Sequence, residues 1–417
     1  MQMLLIQGCK KLHGEVSIHG AKNSTLPLMA ASLLCDGESV LHNCPSLSDV
    51  DTAIGILRHL GCSVERAGCD VAIDPRKADH YEIPDGLMRE MRSSIIFLGA
   101  IISRMGRALL SFPGGCELGP RPIDLHLSSL RKMGVEINED HGCINCSVPK
   151  GLHGASINLA FPSVGATENI IITASLAKGV TVISNAAREP EIGDLADFLN
   201  SCGARIRGAG ESTIVIEGVK RLSGCEHRVI PDRIAAATYL TAAAITGSTL
   251  VIGSIIPEHI APVIPPLEES GCRFDYMNGR IRIESPSRLG RIKSVRTMPY
   301  PGFPTDAQPP LMAAASVANG TSMFVENIFE NRYKHVGELL RLGANIKVEG
   351  RVAVVEGAET LSGATVEATD LRGGAALVVA GLAAQGETQV TGLHHLDRGY
   401  ENFEKNLAQL GASIQRI

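Results

Sequence analysis

Two kinds of apolar pattern alternate along the chain. In residues 26–34, 235–245 and 373–384 the apolar side chains run nearly all the way round a 3.6-residue turn. Rich in Ala and Leu, these stretches predict helices without a solvent face, and so central, buried ones. All fall short of the ~20 residues a membrane span needs. The other pattern is a short strand-like segment bounded by turn residues. Residues 214–218, the turn Leu222-Ser223-Gly224 and residues 228–230 predict two strands paired around that turn.

One phrase, Leu-x-x-x-Gly-x-x-apolar, recurs six times, beginning at Leu57, Leu130, Leu199, Leu267, Leu339 and Leu407. Its glycines are Gly61, Gly134, Gly203, Gly271, Gly343 and Gly411, so successive copies lie 68 to 73 residues apart and fill the chain. A second phrase keeps step: a polar or charged residue, an Ala/Leu-rich run, a Gly and a strand-like segment. Lys22-Asn23, Arg92, Thr167-Glu168, Asp232-Arg233, Thr305-Asp306 and Asp370-Leu371-Arg372 open its six copies. Each unit is mixed α/β. A buried helix start has unpaired N–H groups and a positive dipole end, so a polar residue there is a cap or part of an anion site. Lys22, Arg92 and Arg372 are poor caps, because a cation is unfavourable there unless an anion offsets it. Three parallel helices in each of two facing domains would bring six such starts to one cleft.

Composition changes this picture little. The 417 residues exceed one ordinary core and predict two domains. Aromatic residues are only 4% and Trp is absent, so the cores must be aliphatic, with helices approaching through small side chains. A net charge of −5 without a Lys/Arg run argues against nucleic acid or anionic membrane as partner. Eleven cysteines, an odd number, do not resemble a disulfide framework and suit a reducing compartment. The start lacks a charged segment followed by an apolar one, so no signal peptide is expected and the cytoplasm is the expected location. Cys143-x-x-Cys146 has no second ligand pair, His394-His395 reads as adjacent strand residues pointing to opposite faces, and no metal is expected. No G-x-x-x-x-G-K-[ST] loop is present, which argues against nucleotide triphosphate hydrolysis.

The most unusual stretch is Phe112-Pro-Gly-Gly-Cys-Glu-Leu-Gly-Pro-Arg-Pro-Ile-Asp124. Its prolines and glycines forbid a regular element and predict a long surface loop able to close over a ligand. Cys116 at its tip, with Arg121 nearby, is a candidate reactive thiol. This loop resembles that of the UDP-N-acetylglucosamine 1-carboxyvinyltransferase family of enolpyruvyl transferases. The resemblance runs through Gly20-Ala-Lys-Asn23, Met91-Arg-Ser-Ser94, Ser163-Val-Gly-Ala-Thr-Glu168, Asn185-Ala-Ala-Arg-Glu-Pro-Glu-Ile192, Pro231-Asp-Arg233, Phe303-Pro-Thr-Asp306, Phe329-Glu-Asn-Arg332, Ala368-Thr-Asp-Leu-Arg372 and Asp397-Arg-Gly-Tyr-Glu401.

The resemblance implies a two-domain inside-out α/β barrel of six βαβαββ units, three per domain. Residues 22–230 would form one domain and residues 1–21 plus 231–417 the other. It implies transfer of the enolpyruvyl group of phosphoenolpyruvate to the 3′-hydroxyl of UDP-N-acetylglucosamine, the first committed step of peptidoglycan synthesis, with no cofactor. Cys116 would be the acid and Asp306 the base, although Asp306 as a helix cap is the alternative. Lys22, Arg121 and Arg398, with Asn23 beside them, would hold phosphoenolpyruvate. Arg121, Pro122, Ile123, Asp124 and Leu125 would take the uracil and diphosphate end, with Ser163, Val164 and Gly165 nearby. Asn23, Arg92, Asp306 and Ile328 would contact the sugar, and Arg332, Asp370 and Arg372 would order the cleft from behind. Ser48 and Phe161 stand where family members often carry Lys, and Pro309-Pro310 replaces a single Pro. The alternatives are 5-enolpyruvylshikimate-3-phosphate synthase and a non-catalytic paralogue that senses UDP-sugars; a monomer is the simpler expectation.

Overall fold

The structure is a computed structural model that describes residues 2–112 and 123–417, the Arg92 side chain excepted. The chain divides into two compact units, one holding residues 2–19 with Pro231–Ile417, the other residues 20–112 and 123–230. Each contains three central helices. In the second they are α1 (Lys22–Ser32), α2 (Phe97–Met105), led in by the 3-10 turn Arg92–Ile96, and α3 (Val164–Ala174). In the first they are α4 (Arg233–Ile245), α5 (Gln308–Ala315), preceded by the 3-10 turn Thr305–Ala307, and α6 (Leu371–Ala383).

These helices are buried on nearly every side. Their hydroxyls bond back along the helix, which is how an apolar interior accepts them. Thr238 and Thr241 donate to Ile234 O and Ala237 O at 2.9 and 2.8 Å, and Ser32, Ser175 and Ser316 do likewise. Helices α4, α5 and α6 pack on one another, and each central helix also packs on the middle strands of its own sheet. Small residues permit the approach. A Cβ at Gly99 on α2 would lie 2.5 Å from Thr173 Oγ1 and 2.8 Å from Asn169 O on α3.

Among the described residues six four-stranded sheets lie outside the helices, three in each unit, every one with one parallel and two antiparallel pairs. The α/β order is thus turned inside out, with helices in the middle and sheets around them. Two of the sheets in the first unit use the start of the chain: Leu4–Gln7 lies between Glu387–Thr391 and Ser413–Arg416, and Glu15–Ser17 pairs parallel with Thr249–Gly253. In the second unit, Glu226–Arg228 runs parallel to Ser39–His42, with His227 opposite Leu41. The strand pair expected around Leu222-Ser223-Gly224 therefore does not form. Thr213–Glu217 stays in the sheet of the third repeat while Glu226–Arg228 leaves for that of the first. The bridge from Leu222 to Cys35 carries the chain across.

The repeated Leu-x-x-x-Gly phrase is a helix ending. All six glycines have positive φ, from 89° at Gly343 to 103° at Gly203. In each copy the residue after the glycine donates its N–H to the carbonyl of the phrase's leucine, from Cys62 to Leu57 at 2.9 Å through Ala412 to Leu407 at 3.0 Å. This is the Schellman pattern, whose left-handed residue favours glycine. The six leucines are fully buried. His394 and His395 lie in a turn rather than a strand, with ring centroids 4.0 Å apart, so opposite faces do not separate them.

Candidate active site

The starts of the three central helices in the first unit form one charged cluster. Asp232 caps α4, accepting from Ile234 N and Ala235 N at 2.8 and 2.9 Å, and Asp370 caps α6, accepting from Arg372 N and Gly373 N at 3.0 Å. Asp306 does something different. Its Oδ1 accepts from the Arg332 guanidinium at 2.9 Å and its Oδ2 from Arg372 Nε at 3.1 Å. The Arg332 and Arg372 side chains are 1% and 3% exposed, against 26% for Asp306. The carboxylate is therefore the partly open end of a buried ion cluster, and the capping reading of Asp306 fails.

Other groups hold both arginines in place. Arg332 also donates twice to Thr305 O, at 2.9 and 3.2 Å, and Thr305 Oγ1 donates to buried Glu326 at 3.1 Å. Glu326 in turn accepts the backbone N–H groups of Ile328 and Phe329, at 2.8 and 3.0 Å. Arg372 lies over the Tyr400 ring, 5.2 Å from its centroid, and the Tyr400 hydroxyl is 2.9 Å from Thr238 Oγ1 on α4. Burial opposes the Arg372 charge, but Tyr400, Asp306 and Asp232 outweigh it and hold its acidity below that of an ordinary arginine. Burial likewise pushes the Tyr400 phenol up. Behind Arg332, buried His335 donates through Nδ1 to Arg332 O at 3.1 Å, and burial brings its pKa down to about 4. Arg398 lies in the 3-10 turn Leu396–Arg398, which is anchored by two contacts of 3.0 and 2.6 Å between Arg416 and Asp397.

In the second unit, Lys22 opens α1 and its Nζ lies 3.1 Å from Asp49 Oδ2, with side chains 10% and 2% exposed. Lys22 and Arg372 thus both face carboxylates of the chain itself. The anion expected to offset a cation at a helix start is supplied by the chain itself in both places. Asn23 is half-buried in the first turn of α1. Arg92 opens the turn before α2. Ser163 caps α3, accepting from Ala166 N at 3.4 Å, so that hydroxyl is a helix cap, and Val164 and Gly165 form the first turn. Gly165 is held close to buried His126, since a Cβ there would meet the ring at 3.1 Å. The ring's Nδ1 lies 2.8 Å from Asn169 Nδ2, and burial lowers the His126 pKa to about 4. Ile123 is buried ahead of the helix Asp124–Lys132, Asp124 is exposed and Leu125 half-buried. Cys116, Arg121 and Pro122 lie outside the described residues.

Several members of these clusters escaped the sequence reading. Asp49 and Glu326 are isolated polar residues that each meet a distant partner, Lys22 and Thr305, and His335 bonds Arg332 O within a single turn. Tyr400 and Thr305 fall inside the family-like stretches without a role that spacing would assign. On α3, Glu168 is buried near Glu191 and Glu189, and burial first, then those two carboxylates, hold its carboxyl well above the usual range. Pro309 and Pro310 fit the first turn of α5, where a missing N–H costs nothing. Ser48 begins a helix and its carbonyl accepts from Thr52, while Phe161 is exposed. Among the described residues no group of three or more His, Cys, Asp or Glu is placed to hold a metal ion, and no helix is long and apolar enough to cross a membrane.

Ion-paired carboxylates and guanidiniums at buried helix starts, in a chain of six repeated α/β units, point to a known class of protein. The sequence profile of EPSP synthase (3-phosphoshikimate 1-carboxyvinyltransferase) matches residues 6–407, and the chain belongs to that family. The enolpyruvyl transferase NikO from Streptomyces tendae superposes with a TM-score of 0.90 at 26% identity, over 100% of this chain and 98% of that one. EPSP synthase from Acinetobacter baumannii shares the fold, with a TM-score of 0.77 at 20% identity over 100% and 99% of the two chains. The chain is also similar to proteins named UDP-N-acetylglucosamine 1-carboxyvinyltransferase. That from Caldanaerobacter subterraneus subsp. tengcongensis, numbered 2, is 55% identical over 99% of both chains. That from Symbiobacterium thermophilum, numbered 1, is 51% identical over 98% of this chain and 94% of its own. That from Trichlorobacter lovleyi is 46% identical over 100% and 99%.

Proposed function

We infer that this chain is a transferase that moves the enolpyruvyl group of phosphoenolpyruvate onto the 3′-hydroxyl of UDP-N-acetylglucosamine and releases phosphate. The observation that carries the reading is identity of 46 to 55% along essentially the whole chain to enzymes of that name. The sugar oxygen attacks C2 of phosphoenolpyruvate while C3 gains a proton. Loss of phosphate from C2 and of a proton from C3 then restores the double bond.

Asp306 is the base that receives the hydroxyl proton. Arg332 donates to one oxygen of its carboxylate and Arg372 to the other, and those two contacts orient it. Cys116 is the acid toward C3. Lys22, Asn23, Arg121 and Arg398 hold the donor's carboxylate and phosphate, where fixed cations stabilise charge as phosphate departs. Arg92, Arg121, Pro122, Ile123, Asp124, Leu125, Ser163, Val164, Gly165 and Ile328 receive the nucleotide sugar. Arg332, Asp370 and Arg372 position Asp306 and the start of α6. The reaction needs no metal or cofactor, and its substrates place the enzyme in the cytoplasm at the entry to peptidoglycan synthesis.

Phosphate release tests this directly. The purified chain with phosphoenolpyruvate is expected to liberate phosphate with UDP-N-acetylglucosamine and not with shikimate 3-phosphate. Release with shikimate 3-phosphate alone would select the synthase reading, and release with neither acceptor would select a sugar-nucleotide sensor.

A further inference from the structure

Three thiols meet in the unit of residues 20–230, none of them assigned to the reaction. Cys35 follows α1, Cys202 ends the helix Pro190–Ser201, and Cys225 immediately precedes the strand Glu226–Arg228. Cys202 Sγ lies 3.2 Å from Cys225 Sγ and 3.7 Å from Cys35 Sγ. The backbone around them is fixed. Ser223 donates through N and Oγ to Cys202 O at 2.8 and 3.2 Å, Cys35 bridges to Leu222, and Arg104 donates to Cys35 O at 3.1 Å.

The three are not equivalent. Cys35 and Cys202 are buried, while Cys225 is half-buried. His227, two residues further along and so on the same side of the strand, lies 2.8 Å from Asp194 Oδ1. Burial opposes its charge, but Asp194 outweighs burial and raises its pKa. The contact with Cys202 and then the His227 charge draw the Cys225 thiol down, whereas Cys202 is driven up. Buried cysteines commonly act as small apolar side chains. Simple packing, however, does not require three of them from three separate segments in sulfur-to-sulfur contact, with the accessible one two residues from an imidazole that a carboxylate holds.

We propose that Cys202 and Cys225 are an oxidation site that closes to an intramolecular disulfide on exposure to a hydroperoxide, with Cys35 as an exchange partner. The Cys225 thiolate attacks the peroxide: an S–O bond forms, the O–O bond breaks, and the departing oxygen takes a proton to leave as water or alcohol. The Cys202 sulfur then attacks the resulting sulfenic sulfur, the S–S bond forms, and hydroxyl leaves with the Cys202 proton as water. Two thiols lose two electrons and one peroxide gains them. The sulfurs need only about 1 Å of travel to reach the ~2 Å bond. The product ties the outer helix of the third repeat to the strand that completes the sheet of the first.

The test uses the full chain carrying Cys116→Ser, to remove the loop thiol, treated with equimolar hydrogen peroxide. Alkylation in denaturant, digestion and mass mapping follow. The expected product is a peptide containing Cys202 joined to one containing Cys225, lighter by two hydrogens and separated by dithiothreitol. Adding Cys225→Ser should abolish rapid linkage at Cys202. Full alkylation of Cys202 and Cys225 after the peroxide has been consumed would overturn the proposal. A Cys35–Cys202 link forming equally fast without Cys225 would overturn its entry through Cys225.

Discussion

Replacing Asp306 with Ala removes a carboxylate that two buried guanidiniums share, so a structural and a chemical loss must be separated. The two contacts are 2.9 and 3.1 Å long. Hydrogen bonds to charged groups contribute about 1.5–3 kcal/mol each. Asp306 is about a quarter exposed and solvent screens part of this, so the expected loss of stability is about 2–3 kcal/mol. A domain stable by about 5–15 kcal/mol tolerates that. A positioned general base contributes about 10²–10⁴-fold in rate, or about 3–5 kcal/mol of barrier. Urea unfolding reports the first quantity, and kcat from phosphate release reports the second. Asp306→Asn sharpens the separation, because it keeps the shape and one acceptor oxygen while giving up the capacity to take a proton. Both variants should lose turnover at least about 100-fold, with the Asn variant the more stable of the two. Calorimetry should show UDP-N-acetylglucosamine still binding to both. Turnover within tenfold of the parent in either variant would remove Asp306 from proton transfer, whatever happens to stability.

On the proposed function, Cys116→Ser is expected to impair turnover and to abolish inactivation by the thiol-directed epoxide fosfomycin; undiminished inactivation in a time course would refute the thiol's role. Gly203 has φ 103° and open space where a Cβ would stand, so Gly203→Ala isolates the left-handed backbone and should cost about 1–2 kcal/mol by urea unfolding. At Gly61 a Cβ would also lie 2.9 Å from Lys77 O, so Gly61→Ala should cost more, and equal losses would show that contact to be unimportant. His126 has a pKa of about 4 when folded, against an ordinary value of 6.5. Its stabilising contribution is therefore full above about pH 6.5 and is lost as pH falls toward 4, at most about 3 kcal/mol. The stability advantage of the parent over His126→Gln should shrink across that window in urea titrations, and a pH-independent difference would refute a buried neutral imidazole.

Why some of this molecule was legible in its sequence and some was not follows from where each requirement is imposed. The Leu-x-x-x-Gly phrase was readable because a helix ending is local: the accepting leucine, the left-handed glycine and the donor that follows it lie within six positions, and no distant contact relaxes the need for glycine. The all-round apolar runs declared α4 and α6 central for the same reason, since no face was left for water. Strand pairing is not local. Glu226–Arg228 follows Thr213–Glu217 closely and reads as its partner, yet it pairs with Ser39–His42, which nothing in residues 213–228 records. The site shows the same division most clearly in its aspartates. Asp232, Asp306 and Asp370 stand at three equivalent helix starts, and sequence offers each the same two roles. Two of them cap. The third is drawn away by Arg332 and Arg372, 26 and 66 residues further along the chain. Lys22 repeats the lesson with opposite sign, because Asp49, 27 residues on, already supplies the anion that its position demanded. Local pattern therefore identifies which positions carry charge at the buried ends of helices. Only the packing of distant segments decides whether that charge is spent on the backbone, as at Asp232 and Asp370, or on other side chains, as at Asp306 and Lys22.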